Sequence, residues 1–274
     1  MSSMLIKLAV WGAGIFTMLI ITFLIGYIVI NGIPHITLSL FEWEFNTTNV
    51  SLMPALLNTL IVIILTLFIA APLGIFSAVW LAEYAKRGNK FVSVVKLAAE
   101  ALTGVPSIVY GLFGFLLFGV VFGWGYSLLS GVFTLSIMIL PLIMRTTEEA
   151  LLTVPESYRE GSFGLGAGKL RTVFAIILPT AAPGILSGII LAVGRISGET
   201  AALIFTAGTV ARVAESAMSS TRTLAVHMYL LASEGLYTNQ AYATATILLC
   251  VVLCINGLSG FIAKRFSKFG GMQA

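Results

Sequence analysis

Two arginines beside long apolar runs are the residues best suited to bind a substrate. Arg195 follows the apolar run 173–194, and Arg145 follows the run 128–144 and precedes two threonines. A guanidinium presents planar N–H donors that match the oxygens of phosphate and related anions. An arginine in lipid costs about 2.5–3.5 kcal/mol on insertion scales, so it should face a water-filled cavity or a partner. Both residues are therefore predicted to line a path for an anion, with Arg145 near its cytoplasmic exit.

The alternative for both arginines is a role at the membrane boundary. Arg195, at or just inside that boundary, could snorkel to the outer interface and pair there with Glu199. Arg145 could be a basic anchor next to the cytoplasm. Glu199 follows Arg195 by one helical turn, so the two side chains share a face if the helix continues. The carboxylate of Glu199 would then hold the guanidinium in place.

A short polar stretch between two apolar runs is the second candidate functional element. Val154-Pro155-Glu156 is typical of a helix start, because proline in the first turn loses no hydrogen bond and glutamate suits the positive end of the helix dipole. Gly164, Gly166 and Gly168 are typical of a helix end. A bounded polar helix at this place predicts a docking element for a protein in water; the alternative is an ordinary interfacial connector. Its candidate contact residues are Arg159, Glu160, Gly161, Ser162 and Gly166.

Metal and nucleotide chemistry is not indicated. Cys250 and Cys254 lie one helical turn apart, but no further ligand is nearby, so we interpret them as small apolar residues rather than a metal or redox pair. The stretch 164–170 resembles a phosphate-binding loop, but Phe163 replaces the first glycine and Leu170 replaces the residue that holds magnesium. We therefore expect no cofactor and no metal, and no hydrolysis of a nucleotide by this loop.

Composition makes these elements parts of a membrane protein. The chain is 58% hydrophobic and 9% charged, with a mean hydropathy of +1.04, whereas a soluble domain carries about 25% charged residues. A span needs about 20 apolar residues, and runs this long satisfy their backbone in lipid as helices. The sequence predicts an all-α membrane protein with six spans, of which the third is short: 8–30, 55–81, 107–122, 128–144, 173–194 and 241–262.

Two local patterns concern helix packing. Leu224, Met228 and Leu231 fall at helical spacing, which predicts an amphipathic helix on the outer surface rather than a seventh span. Small residues one turn apart are predicted to let the fifth helix approach a neighbour closely. The pairs are Gly184 with Gly188 and Gly194 with Gly198.

The distribution of lysine and arginine predicts the orientation. The loops 31–54 and 123–127 contain neither residue, so the positive-inside rule places both termini and the even-numbered loops in the cytoplasm. The first run is too long for a signal peptide and is expected to be a retained anchor. The basic residues are scattered, so the net charge of +4 does not indicate nucleic acid. Those that set the orientation are Lys7; Lys86, Arg87, Lys90 and Lys96; Arg145, Arg159, Lys169 and Arg171; and Lys264, Arg265 and Lys268.

The polar helix and the residues after it resemble the signature of bacterial ABC importer permeases. That signature reads E-A-A, three residues, G, nine residues, I-x-L-P, and this chain meets the spacing with Glu160-Gly161-Ser162, Gly166 and Ile176-Ile177-Leu178-Pro179. Gly161 and Ser162 replace the two alanines, and the glycine weakens helix propensity by up to about 1 kcal/mol. The resemblance implies a type I permease fold in which this segment is the coupling helix that docks on an ATP-binding subunit.

Further motifs are similar to those of phosphate permeases of the PstA type. They lie at 104–114, at 72–74 with 81–85, and, as the strongest match, at 195–208. The small size and the short first outer loop favour the PstA type over the paired PstC type. The resemblance implies one permease domain over 1–274 in the bacterial inner membrane. Its core covers roughly 50–262, and 1–49 holds the first span and the first outer loop.

The resemblance also implies a set of partners. These are a PstC-like permease subunit that completes the path, a dimer of ATP-binding subunits, a periplasmic phosphate-binding protein, phosphate itself and membrane lipid. A permease for another oxyanion or small solute would keep the coupling helix but differ at Arg195 and Glu199. A polytopic membrane enzyme would need a cluster of catalytic polar residues in its spans, and an assembly protein would need no intramembrane arginine.

Overall fold

The computed structural model describes residues 2–86 and 88–270, and within them it contains helices and turns but no strand. Arg87, one of the basic residues that predict the orientation, lies outside this part. Five helices there are long and apolar enough to cross a membrane, and one bent pair makes a sixth span if counted as one. The all-α membrane fold is therefore confirmed, with five or six candidate spans. The five are Ile6–His35, Met53–Tyr84, Leu128–Leu152, Lys169–Ser197 and Thr238–Phe261.

The helices follow one another with short connections. Three π-helical segments interrupt or extend them, at Trp80–Tyr84, Phe115–Val121 and Val173–Ile177. The α-helices are α1 (Ser2–Gly32), α2 (Met53–Val79), α3 (Lys90–Thr103), α4 (Ser107–Gly114), α5 (Leu128–Leu152), α6 (Glu156–Gly164), α7 (Lys169–Thr172), α8 (Leu178–Ser197), α9 (Ala201–Thr206), α10 (Leu224–Glu234) and α11 (Thr238–Gly270). We call the end of the bundle that carries α6 the docking side.

The third span is short because the chain bends sharply before it. Helices α3 and α4 meet at 103° across Gly104–Pro106. Pro106 has no N–H and disfavours helical geometry in the residue before it. Only residues 107–121 therefore continue across the membrane, which matches the predicted third span.

Small residues let α5 and α8 lie close together. A Cβ atom added to Gly184 would lie 2.7 Å from that of Ala150, and one added to Gly188 would overlap Thr146. The packing role predicted for this pair is confirmed. Gly194 is different, since its nearest neighbour outside its own turn would be Asn256 at 3.8 Å, and Gly198 would meet only its own helix. The second glycine pair does not make a close helix contact within the described residues.

Helix α10 exists as predicted, and its place on the outer surface stays a prediction. Its predicted apolar residues Leu224 and Leu231 are buried, whereas Tyr229 on the other face is 50% exposed, so the helix is amphipathic. The loop before α2 covers the buried face, because Leu40 packs with Leu224 in one apolar cluster and Val50 packs with Leu231 in another.

Candidate coupling helix and anion path

The docking helix α6 has the boundaries that the sequence predicts. Pro155 precedes it with an extended backbone, at φ −56° and ψ 139°, and Glu156 is its first residue. Gly164 is its last residue, and Gly166 two positions later has φ +82°. This left-handed conformation is favourable only for glycine, so the chain turns back at Gly166 toward α7.

Arg159 fastens α6 to the bundle. Its Nη2 donates to Oε1 of Glu83 over 2.6 Å and to the carbonyl oxygen of Leu151 over 3.1 Å. Nη1 donates to the carbonyl oxygen of Val154 over 3.0 Å, and to the exposed Glu156 over 3.2 Å. The hydrogen bond to Glu83, at the end of the π-helical turn after α2, is the main cause that raises the pKa of Arg159 above its usual range. Arg159 therefore joins α6, the end of α5 and the end of α2.

The rest of α6 divides into a held face and an open face. Ser162 is buried, and its hydroxyl lies 2.8 Å from that of Thr172 in α7. Glu160 and Gly161 are exposed, and a Cβ atom added to Gly161 would meet nothing within 4 Å. The exposed face of α6 carries the acidic side chain of Glu160, and the opposite face is held against the bundle. Such a helix is suited to docking on another protein.

The packing of α5 against α8 sets the depth of Arg195. Gly184 faces Ala150 and Gly188 faces Thr146. Both contacts follow the same antiparallel alignment of α8 with α5. Extending this alignment along α8 places Arg195 level with residue 139 of α5. At 1.5 Å per residue, that level lies roughly 17 Å from the start of α5 and roughly 20 Å from its end. Arg195 is therefore level with the middle of α5, one of the helices long and apolar enough to cross a membrane.

Arg195 and Glu199 are separated by a break in the helix. Helix α8 ends at Ser197, and the chain restarts as α9 at Ala201. Glu199 is 9% exposed and accepts a hydrogen bond from the backbone N–H of Ala202 over 3.1 Å, so it caps α9. No ion pair joins it to Arg195 in the described part of the chain. The expected shared helical face does not form, because the helix does not continue.

The side chain of Arg195 is half-buried at the end of α8. Broken membrane helices are tolerated where they line a cavity or are buried in protein, and they commonly form substrate sites. The break at residues 198–200 directly follows Arg195 and has this character.

Arg145 lies lower in the same helix pair, toward the docking side. It is exposed, and its Nε donates to Oε1 of Glu149 over 3.1 Å. Nearby, Lys96 of α3 forms an ion pair with Glu148. These charges line a cavity of about 270 Å³ between α3 and α5, whose other lining residues are Ala99, Glu100, Pro141, Met144 and Leu152. The structure thus brings Arg145 into a cavity together with Lys96, which the sequence indicated only for the orientation, and with Glu148, which it did not single out.

The two cysteines do not form a site. Cys250 and Cys254 are both exposed as free thiols on α11. Within the described residues, no three His, Cys, Asp or Glu side chains are grouped so that they could hold a metal ion.

The fold and the family to which the chain belongs define a permease subunit of an ATP-driven membrane transporter. Residues 70–268 match the family described as binding-protein-dependent transport system inner membrane component, and the chain belongs to this family. It is a multi-pass protein of the inner membrane and not an enzyme. Its partner classes are an ATP-binding subunit and a substrate-binding protein.

Individual relatives and structures agree with this class. The chain is 38% identical over 212 residues to the probable ABC transporter permease protein YqgI of Bacillus subtilis, covering 74% of this chain and 70% of that one. It is 32% identical over 237 residues to the phosphate transport system permease protein PstA of Haemophilus influenzae, covering 84% and 82%. A bacterial alginate ABC transporter has the same fold, with a TM-score of 0.67 at 15% identity over 94% of this chain and 95% of that one. The inward-facing MetNI methionine ABC transporter matches with a TM-score of 0.61 at 20% identity, covering 78% of this chain and 94% of that one.

Proposed function

We propose that this chain is the PstA-type permease subunit of an ATP-driven phosphate importer. The observation that carries the proposal is the position of Arg195 level with the middle of the spanning helix α5, beside a helix break. Phosphate carries a charge on the order of −1.5 near neutral pH. It must shed water to cross, so a fixed guanidinium in the path would replace part of its hydration. The similarity to PstA of Haemophilus influenzae supports this substrate.

The chain would supply half of the path and the coupling to ATP hydrolysis. A PstC-like subunit would supply the other half, two ATP-binding subunits would bind the exposed face of α6, and a periplasmic phosphate-binding protein would deliver the substrate. The docking side would then be cytoplasmic, together with both termini, as the lysine and arginine distribution favours. Arg145 would contact the anion on its way out, next to the cavity that Lys96 and Glu148 line.

Substrate-stimulated ATP hydrolysis tests the substrate directly. The chain would be purified with its partner subunits and binding protein, reconstituted in vesicles, and given phosphate, sulfate or methionine. We expect phosphate alone to stimulate hydrolysis and to enter the vesicles. Stimulation by sulfate or methionine with none by phosphate would replace the proposal by the alternative of another oxyanion or small solute.

A separate experiment addresses the docking residues. Glu160→Lys reverses a charge on the exposed face of α6 without removing a hydrogen bond of the described structure. We expect the ATP-binding subunit to bind less tightly while the chain stays inserted in the membrane. Full retention of the ATP-binding subunit during purification would show that it docks elsewhere.

A further inference from the structure

Helix α3 lies along the plane of the membrane at the docking side. It meets the helical segment Ser107–Val121, the other half of the bent pair, at 103°. A helix almost perpendicular to a span runs parallel to the membrane surface. Its level is set by the ion pair of Lys96 with Glu148, and by Val92 and Val95, which pack against an apolar cluster that contains Leu151. These contacts place α3 beside the last turns of α5, at one membrane–water boundary.

The side chains of α3 divide into three faces. Val92, Val95 and Ala99 point into the bundle. Ser93 and Glu100 form an exposed polar strip next to Lys96. The third face is an apolar stripe that the described residues leave largely uncovered, and its larger members Phe91, Val94 and Leu97 are 62%, 61% and 67% exposed. Because residues three and four apart share a helical face, this stripe is continuous and is completed by Ala98, Ala101 and Leu102.

Charge is unevenly distributed around the apolar stripe. Lys90 is exposed at the start of the stripe, and Lys86 is exposed shortly before it. Glu100 lies on the polar strip instead, beside the cavity. Trp80 packs edge-on against Phe91 with ring centroids 6.2 Å apart and is itself 43% exposed. Tryptophan at this level is typical of a membrane interface.

We propose that α3 is an interfacial helix that inserts its apolar stripe into the leaflet on the docking side, where Lys86 and Lys90 bind the headgroups of anionic phospholipids. An apolar stripe at the headgroup level beside lysines is the arrangement by which helices bind such membranes. The lysines favour anionic lipid as the occupant, since they lie where the stripe meets water. This inference goes beyond the proposed function and does not depend on the substrate being phosphate.

Spin labels on the two exposed faces of α3 test the occupant. Single cysteines at 94 and 97 on the stripe, and at 93 and 100 on the polar strip, would be labelled in a background with Cys250→Ala and Cys254→Ala. The assembled transporter would be reconstituted in vesicles of phosphatidylcholine and phosphatidylglycerol. Labels at 94 and 97 should collide with oxygen and be protected from a water-soluble nickel complex. Labels at 93 and 100 should show the reverse.

Collisions of the labels at 94 and 97 with the nickel complex would show that water covers the stripe. Protection of both from oxygen and nickel would show that a protein subunit covers it. Either result would overturn the proposal.

The lysines are tested by the lipid preference of the same label. A label at 94 would report contact with a fluorescent phosphatidylglycerol or phosphatidylcholine analogue in mixed vesicles. The double variant Lys86→Gln/Lys90→Gln should lose the preference for phosphatidylglycerol, by roughly fivefold for each lysine. Lys7→Gln is the matched control, because Lys7 is an exposed lysine on α1 rather than beside the stripe, and it should keep the preference. An unchanged preference in the double variant would contradict the headgroup contact.

Discussion

Arg159 and Glu83 form an ion pair that connects the docking helix to the end of α2. The shortest N–O distance is 2.6 Å, and the two side chains are 12% and 7% exposed. Arg159 also donates to two backbone carbonyl oxygens near the end of α5. Movement of α6 on a bound ATPase would therefore be passed to α2 and α5 through one side chain. Arg159 holds the coupling helix in place, whereas Glu160 presents the free charge.

Breaking this ion pair should loosen the docking helix. Glu83→Gln leaves the Arg159 guanidinium without its main partner, and we expect stability to fall by about 1.5–3 kcal/mol, the range for hydrogen bonds to charged groups. Glu156→Gln is the matched control, since Glu156 bonds the same arginine but is 70% exposed, and it should have little effect. Thermal unfolding of the purified transporter measures both. Equal effects of the two variants would show that the pair with Glu83 is not a structural link.

Two glycines in and after α6 should respond oppositely to substitution. Gly166→Val puts a β-branched residue at φ +82°, which should cost at least about 1–2 kcal/mol and displace α6 from its docking position. Gly161→Ala adds a Cβ that meets nothing within 4 Å, and it should favour the helix by up to about 1 kcal/mol. Co-purification of the ATP-binding subunit and coupled hydrolysis measure the result. Normal coupling in Gly166→Val would contradict the role of this turn.

An alanine substitution in α8 should weaken its packing against α5 at only one of the two glycine pairs. Gly188→Ala would force its Cβ against Thr146, and we expect a loss of about 1–3 kcal/mol, as for overpacked cores. Gly194→Ala has room and should change stability little. The unfolding temperatures and the membrane yields of the two variants provide the comparison. A well-tolerated Gly188→Ala would remove the basis of the register that places Arg195 level with the middle of α5.

The orientation can be tested by labelling cysteines from outside the cell. Thr47→Cys, in the loop before α2, should react in intact spheroplasts, and Leu165→Cys, which is 91% exposed after α6, should react only after lysis. The background must lack Cys250 and Cys254, because both are exposed. Labelling of 165 but not of 47 in intact cells would reverse the proposed topology.

Local features of the structure could be predicted from the sequence. The docking helix begins after Pro155 and turns back at Gly166, because proline and glycine impose these geometries on their own backbone. The spans could be predicted because apolar runs of this length are stable as helices in a lipid bilayer. Such features depend on neighbouring residues along the chain and on the solvent, so they need no tertiary information.

Features that depend on packing between distant segments could not be predicted. Glu83 precedes Arg159 by 76 positions, and nothing in either local sequence indicates that they meet. The depth of Arg195 depends on the register of α5 against α8, which is set by Ala150 and Thr146. The helix break before Glu199 was missed because residues 195–199 contain a single glycine and no proline to signal it.

Phosphate uptake by variants of Arg195 tests the central claim most directly. Arg195→Gln removes the charge but keeps a hydrogen-bonding side chain, and uptake should fall roughly ten- to a hundredfold, which corresponds to about 1.5–3 kcal/mol. Arg195→Lys should restore only part, because a point charge cannot make the planar bidentate contact. Glu199→Gln is the control, since its amide oxygen can still cap α9, and it should transport much better than Arg195→Gln.

The measurement is labelled-phosphate uptake at matched membrane expression, in a strain that lacks other phosphate importers. A severe loss in Arg195→Gln with the subunits still assembled is the predicted result. Uptake at the wild-type rate would contradict the account, because an arginine that phosphate does not need cannot be its contact in the path.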